Sequence, residues 1–236
     1  YLNGMGVAKN IETGLSLITK AANQNNYIAQ YYLGKAYLDG INVSQDSSLA
    51  LEWFKKAIDN GDLDSKVELA LMHLNGQGVD QNLDTALGIL SEAAVQKSRY
   101  AAYILGRIYL DNLWVEVDYE LALRWLANAA ELGSTNATIS LIKNYTNNKN
   151  MGIDHSKAKY WLETLQNSYN EDVKLNWASL AIGTVKDKDL SKDAYEYLLD
   201  AKNSDVAGAY GKLSWIYRTG VGERFGVPKS EKRAYE

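Results

Sequence analysis

Few residues in this chain have the types and the spacing that phosphate binding or catalysis requires. Glycine pairs such as Gly76-x-Gly78 resemble pieces of a phosphate-binding loop. Such a loop needs a preceding strand and a following helix N-terminus, whereas these pairs recur between helical segments, which indicates turns. Ser140 and Lys143 have the Ser-x-x-Lys spacing of penicillin-recognising enzymes, but the chain contains no Lys-Thr-Gly or Ser-Asp-Asn partner motif. We interpret both patterns as features of the fold and predict no catalytic residue.

Metal and acid–base chemistry find little support in the composition. The two histidines, His73 and His155, are far apart in the sequence and the chain has no cysteine, so neither a zinc site nor a disulfide is expected. We expect His73 to be half-buried with its ring hydrogen-bonded, and His155 to be solvated. Acidic residues are numerous, yet none form a pair in apolar surroundings that would shift a pKa. The sequence predicts a protein that is not an enzyme and holds no cofactor or metal.

The balance of basic and acidic residues bears on whether the chain binds nucleic acid. The chain has 25 Lys and Arg against 29 Asp and Glu, for a net charge of -4. Helical repeats that read RNA need a surface that neutralises phosphate, so this balance argues against nucleic acid. No run approaches the ~20 apolar residues that a membrane-spanning helix needs.

A repeat of 36 residues organises the chain. Five columns of residues keep the same register over four to six copies, which chance does not produce. One column is the core leucine, and the others hold mainly aromatic residues or alanine. The columns are Leu33, Leu69, Leu105, Leu141, Trp177 and Leu213; Tyr37, His73, Tyr109, Tyr145, Ala181 and Tyr217; Ala50, Ala86, Ala122, Ala158 and Ala194; Trp53, Ile89, Trp125, Trp161 and Tyr197; and Ala57, Ala93, Ala129 and Ala201.

Each copy predicts two helices joined by a short loop. Apolar residues recur at spacings of three and four in both halves of a copy, as on one face of a helix. Gly40 is predicted to end the first helix, because glycine adopts the left-handed backbone of a helix C-terminus. Asp46 is predicted to cap the second helix, and Gly34 to let the neighbouring helix approach closely. Equivalent caps are expected at Asn82, Asp118 and Asp154.

Helical hairpins of this kind cannot bury their apolar faces alone and must stack. The predicted fold class is all-α, a right-handed α-solenoid of about six 36-residue helix-turn-helix repeats. We predict one solenoid domain over residues 1–236 and, because the sequence starts and ends within a repeat, expect a fragment of a longer repeat protein. The last copy carries a four-residue insertion between Gly220 and Val227. The fourth and fifth copies have a polar run over 144–150 and the segment 187–189 in place of glycine loops, so we expect irregularity and mobility there.

The pattern resembles a known family, the Sel1-like repeat. The resemblance implies a tetratricopeptide-like solenoid that is a scaffold for protein complexes, often bacterial. It implies the bacterial periplasm or cell envelope as the location, with the cytoplasm as the alternative. Some relatives carry a cysteine pair in each repeat, and its absence here does not favour that disulfide-stapled branch. The resemblance is carried by Ala29-x-x-x-Leu33-Gly34-x-x-Tyr37-x-x-Gly40, by Val43, by Ala50-Leu51-x-Trp53-x-x-x-Ala57, by Gly61, by the equivalent residues 101–133, and by the loop Leu74-x-Gly76-x-Gly78-Val79.

A partner-binding surface is expected on the first helices, which line the concave face of a helical-hairpin solenoid. Residues two before, two after and five after the core leucine share one side of the helix. They are aromatic and aliphatic with a ladder of basic residues, which suits an extended or helical peptide with apolar anchors and some acidic residues. The predicted partner-binding residues are Tyr31, Lys35, Tyr103, Arg107, Lys143, Trp215 and Arg218.

Two functions are consistent with these features. The first is a non-catalytic scaffold or adaptor that binds a peptide or protein in the concave groove, in a bacterial envelope or signalling complex. The second is a cell-wall or exopolysaccharide-associated factor, or an enzyme-linked module whose catalytic domain lies outside this sequence. For Leu38, Leu74 and Leu110, packing between copies is the favoured alternative to partner binding. Trp114 is expected either to anchor a partner or to fill a gap beneath its loop.

Overall fold

A computed structural model describes residues 11–111, 113–147, 153–167, 170–184 and 187–235. These residues form α-helices and one 3₁₀ helix, without a β-strand. In chain order the helices are α1 (Ile11–Asn23), α2 (Tyr27–Asp39), α3 (Ser47–Asp59), α4 (Leu63–Asn75), α5 (Leu83–Val95), α6 (Arg99–Asp111), α7 (Tyr119–Glu131), α8 (Thr135–Asn147), α9 (His155–Gln166), α10 (Glu171–Gly183), α11 (Lys188–Asn203), α12 (Ala209–Thr219), the 3₁₀ helix (Val221–Phe225) and α13 (Glu231–Tyr235). The even-numbered helices are the first helices of successive copies.

Local side chains determine where the helices begin and end. The Asp46 carboxylate accepts hydrogen bonds from the backbone N–H groups of Ser48 and Leu49, each at 3.0 Å, and caps α3. Gly40 has a left-handed φ of 68° and ends α2, as predicted. The backbone N–H of Asp46 also donates to the Tyr37 carbonyl at 2.8 Å, which ties the start of α3 to the end of α2. The other three predicted caps are confirmed as well, at Asn82, Asp118 and Asp154.

The apolar columns of the sequence form the core of the hairpins. Leu33 and Phe54 are buried between α2 and its neighbours. A Cβ atom on Gly34 would lie 2.6 Å from Cε1 of Phe54, and one on Gly106 would lie 2.6 Å from Cγ of Leu126. The predicted close approach is therefore confirmed. It accounts for glycine at these helical positions, where it costs about 1 kcal/mol in helix propensity.

The chain divides into two compact units, Tyr1–Leu132 (unit 1) and Gly133–Glu236 (unit 2). In unit 1, α1 packs on α2, and the hairpins α2–α3, α4–α5 and α6–α7 follow. In unit 2 the hairpins are α8–α9, α10–α11 and α12–α13. Within each unit a second helix also packs on the first helix of the next copy, as stacked repeats require. The all-α hairpin organisation is confirmed, while the single solenoid domain over 1–236 stays a prediction.

The fifth copy departs from the repeat period at its second helix. The period places the N-cap 36 residues after Asp154, at position 190, but the residue that caps α11 is Asp187. The Asp187 carboxylate accepts from the backbone N–H of Leu190 at 2.9 Å and from Nζ of Lys159 at 2.5 Å. Helix α11 is therefore longer at its start, with 16 residues. The segment 187–189 stands where other copies have loop residues and begins this helix, so the predicted irregularity of the fifth copy is confirmed here.

The insertion in the sixth copy has a defined structure. Its residues form the 3₁₀ helix, from which Arg224 donates to the backbone carbonyl of Ile182 in the last turn of α10. A cation at this end of a helix is favourable, because the helix dipole is negative there. The chain then returns to the repeat geometry, since the backbone N–H of Ser230 donates to the Tyr217 carbonyl at 3.0 Å, as the Asp46 N–H does in the first copy.

Other predicted positions can be compared directly with the structure. His73 is half-buried and its Nδ1 lies 3.2 Å from the Asp80 carbonyl oxygen, as predicted. His155 is exposed at the start of α9, as predicted. Of the polar run in the fourth copy, Thr146 is buried in α8, whereas residues 148–150 lie outside the described part of the chain.

Every helix in the described ranges is too short or too polar to span a lipid bilayer.

Candidate protein-binding face

The predicted partner-binding residues all lie on first helices and are half-buried or exposed. Helices α2 and α6 carry four of them in unit 1, and α8 and α12 carry three in unit 2. The structure brings some of them together and leaves others apart. The four in unit 1 are Tyr31, Lys35, Tyr103 and Arg107, and the three in unit 2 are Lys143, Trp215 and Arg218.

The best-defined polar feature of unit 1 is the buried carboxylate of Glu68, between α2 and α4. Only 4% of the Glu68 side chain is exposed. Its Oε2 accepts from Nζ of Lys35 at 3.3 Å, and its Oε1 accepts from the Tyr31 hydroxyl at 3.5 Å. Nζ of Lys35 also lies 3.3 Å from Oδ2 of Asp39, one turn along α2. Two predicted partner-binding residues are therefore already engaged by a carboxylate of the next repeat.

Burial and neighbouring charges shift the pKa values of this cluster. Burial raises the pKa of Glu68 above its ordinary value, and Lys35 offsets this effect only in part. Burial opposes the charge of Lys35, but the carboxylates of Glu68 and Asp39 outweigh it and raise the pKa of Lys35. Burial and the Glu68 charge together raise the pKa of Tyr31 and Tyr100. Both hydroxyl groups therefore remain protonated at neutral pH and can donate hydrogen bonds.

Tyr103 and Arg107 form the second group of unit 1, on α6. NH1 of Arg107 donates to the Tyr103 hydroxyl at 3.3 Å. Nε and NH2 of the same guanidinium donate to Oδ2 of Asp111 at 3.0 and 2.6 Å. These bonds hold the guanidinium in one place, although almost half of the side chain is exposed. We call Tyr31, Lys35, Glu68, Tyr100, Tyr103 and Arg107 the first-helix face of unit 1.

The predicted residues of unit 2 fall into two places. Lys143 is exposed on α8. Trp215 and Arg218 lie about one turn apart on α12, and both are exposed. The Trp215 ring covers α10, where its Cη2 lies 3.7 Å from the position that a Cβ atom on Gly183 would occupy.

Lys212 precedes Trp215 by about one turn of α12 and was not among the predicted residues. Its Nζ donates to the Ser179 hydroxyl of α10 at 2.7 Å. Burial lowers the pKa of Lys212 below its ordinary value. No carboxylate in the described part of the chain forms an ion pair with Lys212 or Arg218. We call Ser179, Lys212, Trp215 and Arg218 the first-helix face of unit 2.

Sequence reasoning missed Glu68 and Lys212, although both belong to one column of the repeat. That column directly precedes the core leucine, and a charged residue beside a core position is an unusual pattern that could have been noticed. The residue that each of them contacts could not be predicted from this column, because that residue lies in the preceding repeat. The column holds Tyr32, Glu68, Ile104, Ser140, Asn176 and Lys212.

The aliphatic series on the first helices belongs mainly to the core. Leu38 and Leu74 are buried, and Leu38 packs with Phe54 and Met72. Packing between copies, the alternative favoured from the sequence, is therefore confirmed for Leu38, which contacts Met72 of the next copy. It stays a prediction for Leu74 and for Leu110, which is half-buried. Trp114 is half-buried in the loop after α6, and its two predicted roles stay predictions.

These two faces present aromatic rings, hydroxyl groups and charges that are held in place by hydrogen bonds. Tyrosine, tryptophan and arginine are the residues that most often contribute strongly to protein interfaces, and these faces contain all three. Within the described ranges, His, Asp and Glu residues form no cluster suited to a metal ion.

Comparisons with known proteins agree with the repeat. The family model "Sel1 repeat" matches residues 1–26, 28–62, 64–96, 99–134 and 207–236. The matched ranges leave out 135–206, where the loop glycines of the pattern are missing. No protein with a curated description matches this sequence.

Solved structures show the same fold. A Sel1 repeat protein from Oxalobacter formigenes is 25% identical with a TM-score of 0.62, and the alignment covers 100% of this chain and 80% of that protein. The antigen c5321 of uropathogenic Escherichia coli, which displays an SLR fold, is 23% identical with a TM-score of 0.63 over 97% of this chain. This chain spans about half of c5321, 48% of its length. The immunity protein Pa5087 from Pseudomonas aeruginosa is 21% identical with a TM-score of 0.52, covering 94% of this chain and 70% of that one.

The family model matches well over half of the chain, and the hairpins have the caps, core columns and stacking of an α-solenoid. The chain belongs to the Sel1 repeat family.

Proposed function

We propose that this chain is a non-catalytic scaffold that binds a protein or peptide partner through the first helices of its repeats. Sel1 repeat proteins are generally protein-interaction scaffolds and are typically non-catalytic. The proposal assigns binding to the two first-helix faces, each of which we expect to line a concave groove of its own unit. A bacterial envelope or signalling complex is the setting that we propose, because the similar solved proteins come from bacteria.

The observation that carries the proposal is the fixed geometry of the first-helix face of unit 1. Tyr31 and Lys35 are held by Glu68, and Tyr103 shares a hydrogen bond with Arg107. Rings and charges that are held in place before binding lose less conformational entropy when a partner arrives. The same side chains remain half-buried or exposed, so a partner can reach them.

A peptide-display selection against the intact chain tests this proposal. We expect selected peptides to bind the chain and to lose affinity about fivefold or more with Arg107→Ala, because an interfacial arginine usually contributes about 1 kcal/mol or more. The matched control is Arg124→Ala on α7. Arg124 also pairs with a carboxylate one turn away, since its NH2 lies 2.6 Å from Oε1 of Glu120, but it belongs to a second helix.

The control decides between the two surfaces of the hairpin. The proposal requires Arg124→Ala to leave peptide affinity unchanged. Equal losses in the two variants, or a library from which no peptide is selected, would contradict it.

A further inference from the structure

We propose that Lys212, Trp215 and Arg218 on α12 form an anchor site for a carboxylate side chain of an acidic peptide partner. This inference rests on the proposed scaffold function and assigns one part of the surface to one kind of chemistry.

The three side chains lie on one face of α12. Successive helical residues are about 100° apart, so positions 212, 215 and 218 span about 120° of the helix circumference, with Trp215 in the middle. Two contacts with α10 fix this face. Nζ of Lys212 lies 2.7 Å from the Ser179 hydroxyl, and Cη2 of Trp215 lies 3.7 Å from the position that a Cβ atom on Gly183, one turn further along α10, would occupy. The ammonium group and the indole ring are therefore neighbours on the same surface.

The charge of Lys212 is incompletely compensated. Lys35 and Lys66 are also half-buried, and both meet carboxylates: Lys35 meets Glu68, and Lys66 meets Glu92 at 2.6 Å. Lys212 instead meets a hydroxyl group, and burial lowers its pKa without any neighbouring charge that raises it. A partly desolvated ammonium gains more from an added anion than a fully hydrated one does, because its water has already been removed.

The remaining groups of the site favour an anion as well. Arg218 is exposed on the same face and can donate two parallel hydrogen bonds to a carboxylate. Trp215 is 41% exposed, which leaves part of its ring to pack against the apolar stem of the bound side chain. We assign the anion to a protein carboxylate and not to nucleic acid, because the net charge of -4 disfavours a polyphosphate chain.

The test is a random peptide-display selection against the intact chain, followed by fluorescence anisotropy with the strongest selected peptide. We expect the selected peptides to be enriched in Asp and Glu. Lys212→Met, which keeps the apolar stem, should weaken binding about tenfold, and added salt should weaken it further. Lys212→Glu, used as the target of a second selection, should remove the acidic enrichment.

A matched control separates the site from the net charge of the protein. Lys192→Met removes one lysine from α11, the second helix that packs on α12, where Lys192 is largely exposed. This variant should bind the peptide as the unchanged chain does. Circular dichroism of each variant checks that the helices are retained.

The outcomes distinguish this inference from the proposed function. If no peptide is selected, both fail. If peptides are selected without acidic enrichment, or if Lys212→Met binds them as the unchanged chain does, the scaffold function stands and the anchor site is wrong. A single-stranded RNA oligonucleotide measured in parallel should not bind. RNA binding that Lys212→Met abolishes would overturn the assignment to a peptide.

Discussion

Lys35 in unit 1 and Lys212 in unit 2 occupy the same kind of junction between successive first helices. In both units the junction joins the residue two after one core position, Leu33 or Trp177, to the residue one before the next core leucine, 33 positions later. In unit 1 the pair is Lys35 with Glu68, and a second carboxylate, Asp39, adjoins the lysine. In unit 2 the lysine lies on the later of the two first helices, and its partner on the earlier one is neutral. Lys212 of α12 meets the hydroxyl group of Ser179 on α10.

The difference shows that one repeat geometry can present surfaces of different charge. The two basic residues of the first-helix face of unit 1 are neutralised within the chain, because Lys35 meets Glu68 and Arg107 meets Asp111. In unit 2, Lys212 and Arg218 have no carboxylate partner among the described residues. A partner with acidic side chains therefore has more to gain at unit 2, and the uniform basic ladder expected from the sequence is not uniform in its chemistry.

The largest expected effect comes from removing the lysine at each junction. Lys35→Met leaves the Glu68 carboxylate buried without its cation, so we expect it to lower the free energy of unfolding by about 2 kcal/mol, less than for a fully buried pair because Lys35 is partly exposed. Lys212→Met removes one hydrogen bond and also an uncompensated charge, so its effect should stay within about 0.5 kcal/mol. Urea unfolding measures both. Similar losses in the two variants would show that the junctions are energetically equivalent.

A smaller contrast is expected between helix caps of the two units. Asp118→Ala removes an N-cap that accepts from the Leu121 N–H at 2.9 Å, and should cost about 1 kcal/mol. Asp187→Ala removes a cap and also the ion pair with Lys159, so it should cost about 1.5 kcal/mol. Thermal unfolding of both variants checks the order. The Lys159→Met variant is the control, because it removes only the ion pair and should account for the difference.

The residue directly after the core leucine is also expected to differ between the units in how well it tolerates substitution by alanine. On Gly106 an added Cβ would lie 2.6 Å from Cγ of Leu126 and 3.1 Å from the Ala122 carbonyl oxygen, so Gly106→Ala should lower the free energy of unfolding by about 1 kcal/mol despite its gain in helix propensity. The equivalent residue of unit 2 is Ser214, which is half-buried, and Ser214→Ala should be neutral within about 0.5 kcal/mol. Chemical denaturation compares the two, and stabilisation by Gly106→Ala would be contrary to the close approach of α6 and α7.

The smallest effect is a pH dependence that belongs to unit 1. Folding raises the pKa of Glu68 above its ordinary 4.5, so the folded chain binds more protons than the unfolded chain in the pH range just above that value. The contribution of Glu68 to stability is therefore greatest below pH 4.5 and decreases as the pH rises through the folded pKa. Lys35, Asp39 and Tyr31 are the groups that face it. Urea unfolding across this pH range should show a decrease that Glu68→Gln reduces, and identical pH profiles would contradict the assignment.

Much of the fold could be predicted from the sequence because helix ends are local. The cap at Asp46 acts on residues two and three positions later, and Gly40 ends α2 through its own backbone conformation. The irregularity at 187–189 was predicted from the missing glycine loop, but its form was not. Asp187 is a good N-cap wherever it stands, and it begins α11 ahead of the repeat period.

The candidate site was predictable only in part. The predicted site residues lie on the first helices and are half-buried or exposed, as a column pattern can indicate. The charge state of that surface was not predictable, because it depends on Glu68 and on the neutral partner of Lys212. To predict an ion pair between residues of different repeats, one must know the distance between their side chains. The pattern of a single repeat does not contain that distance.

The sequence by itself determined the two-helix repeat, its caps, its core columns and its family. All of these follow from interactions that reach about four residues along a helix or from a period that is visible in the residue types. Only the tertiary structure decided which side chains meet at the junctions between repeats. Lys35 meets Glu68 and Lys212 meets Ser179 because stacking brings first helices together, and the distance between stacked helices depends on the packing of whole hairpins.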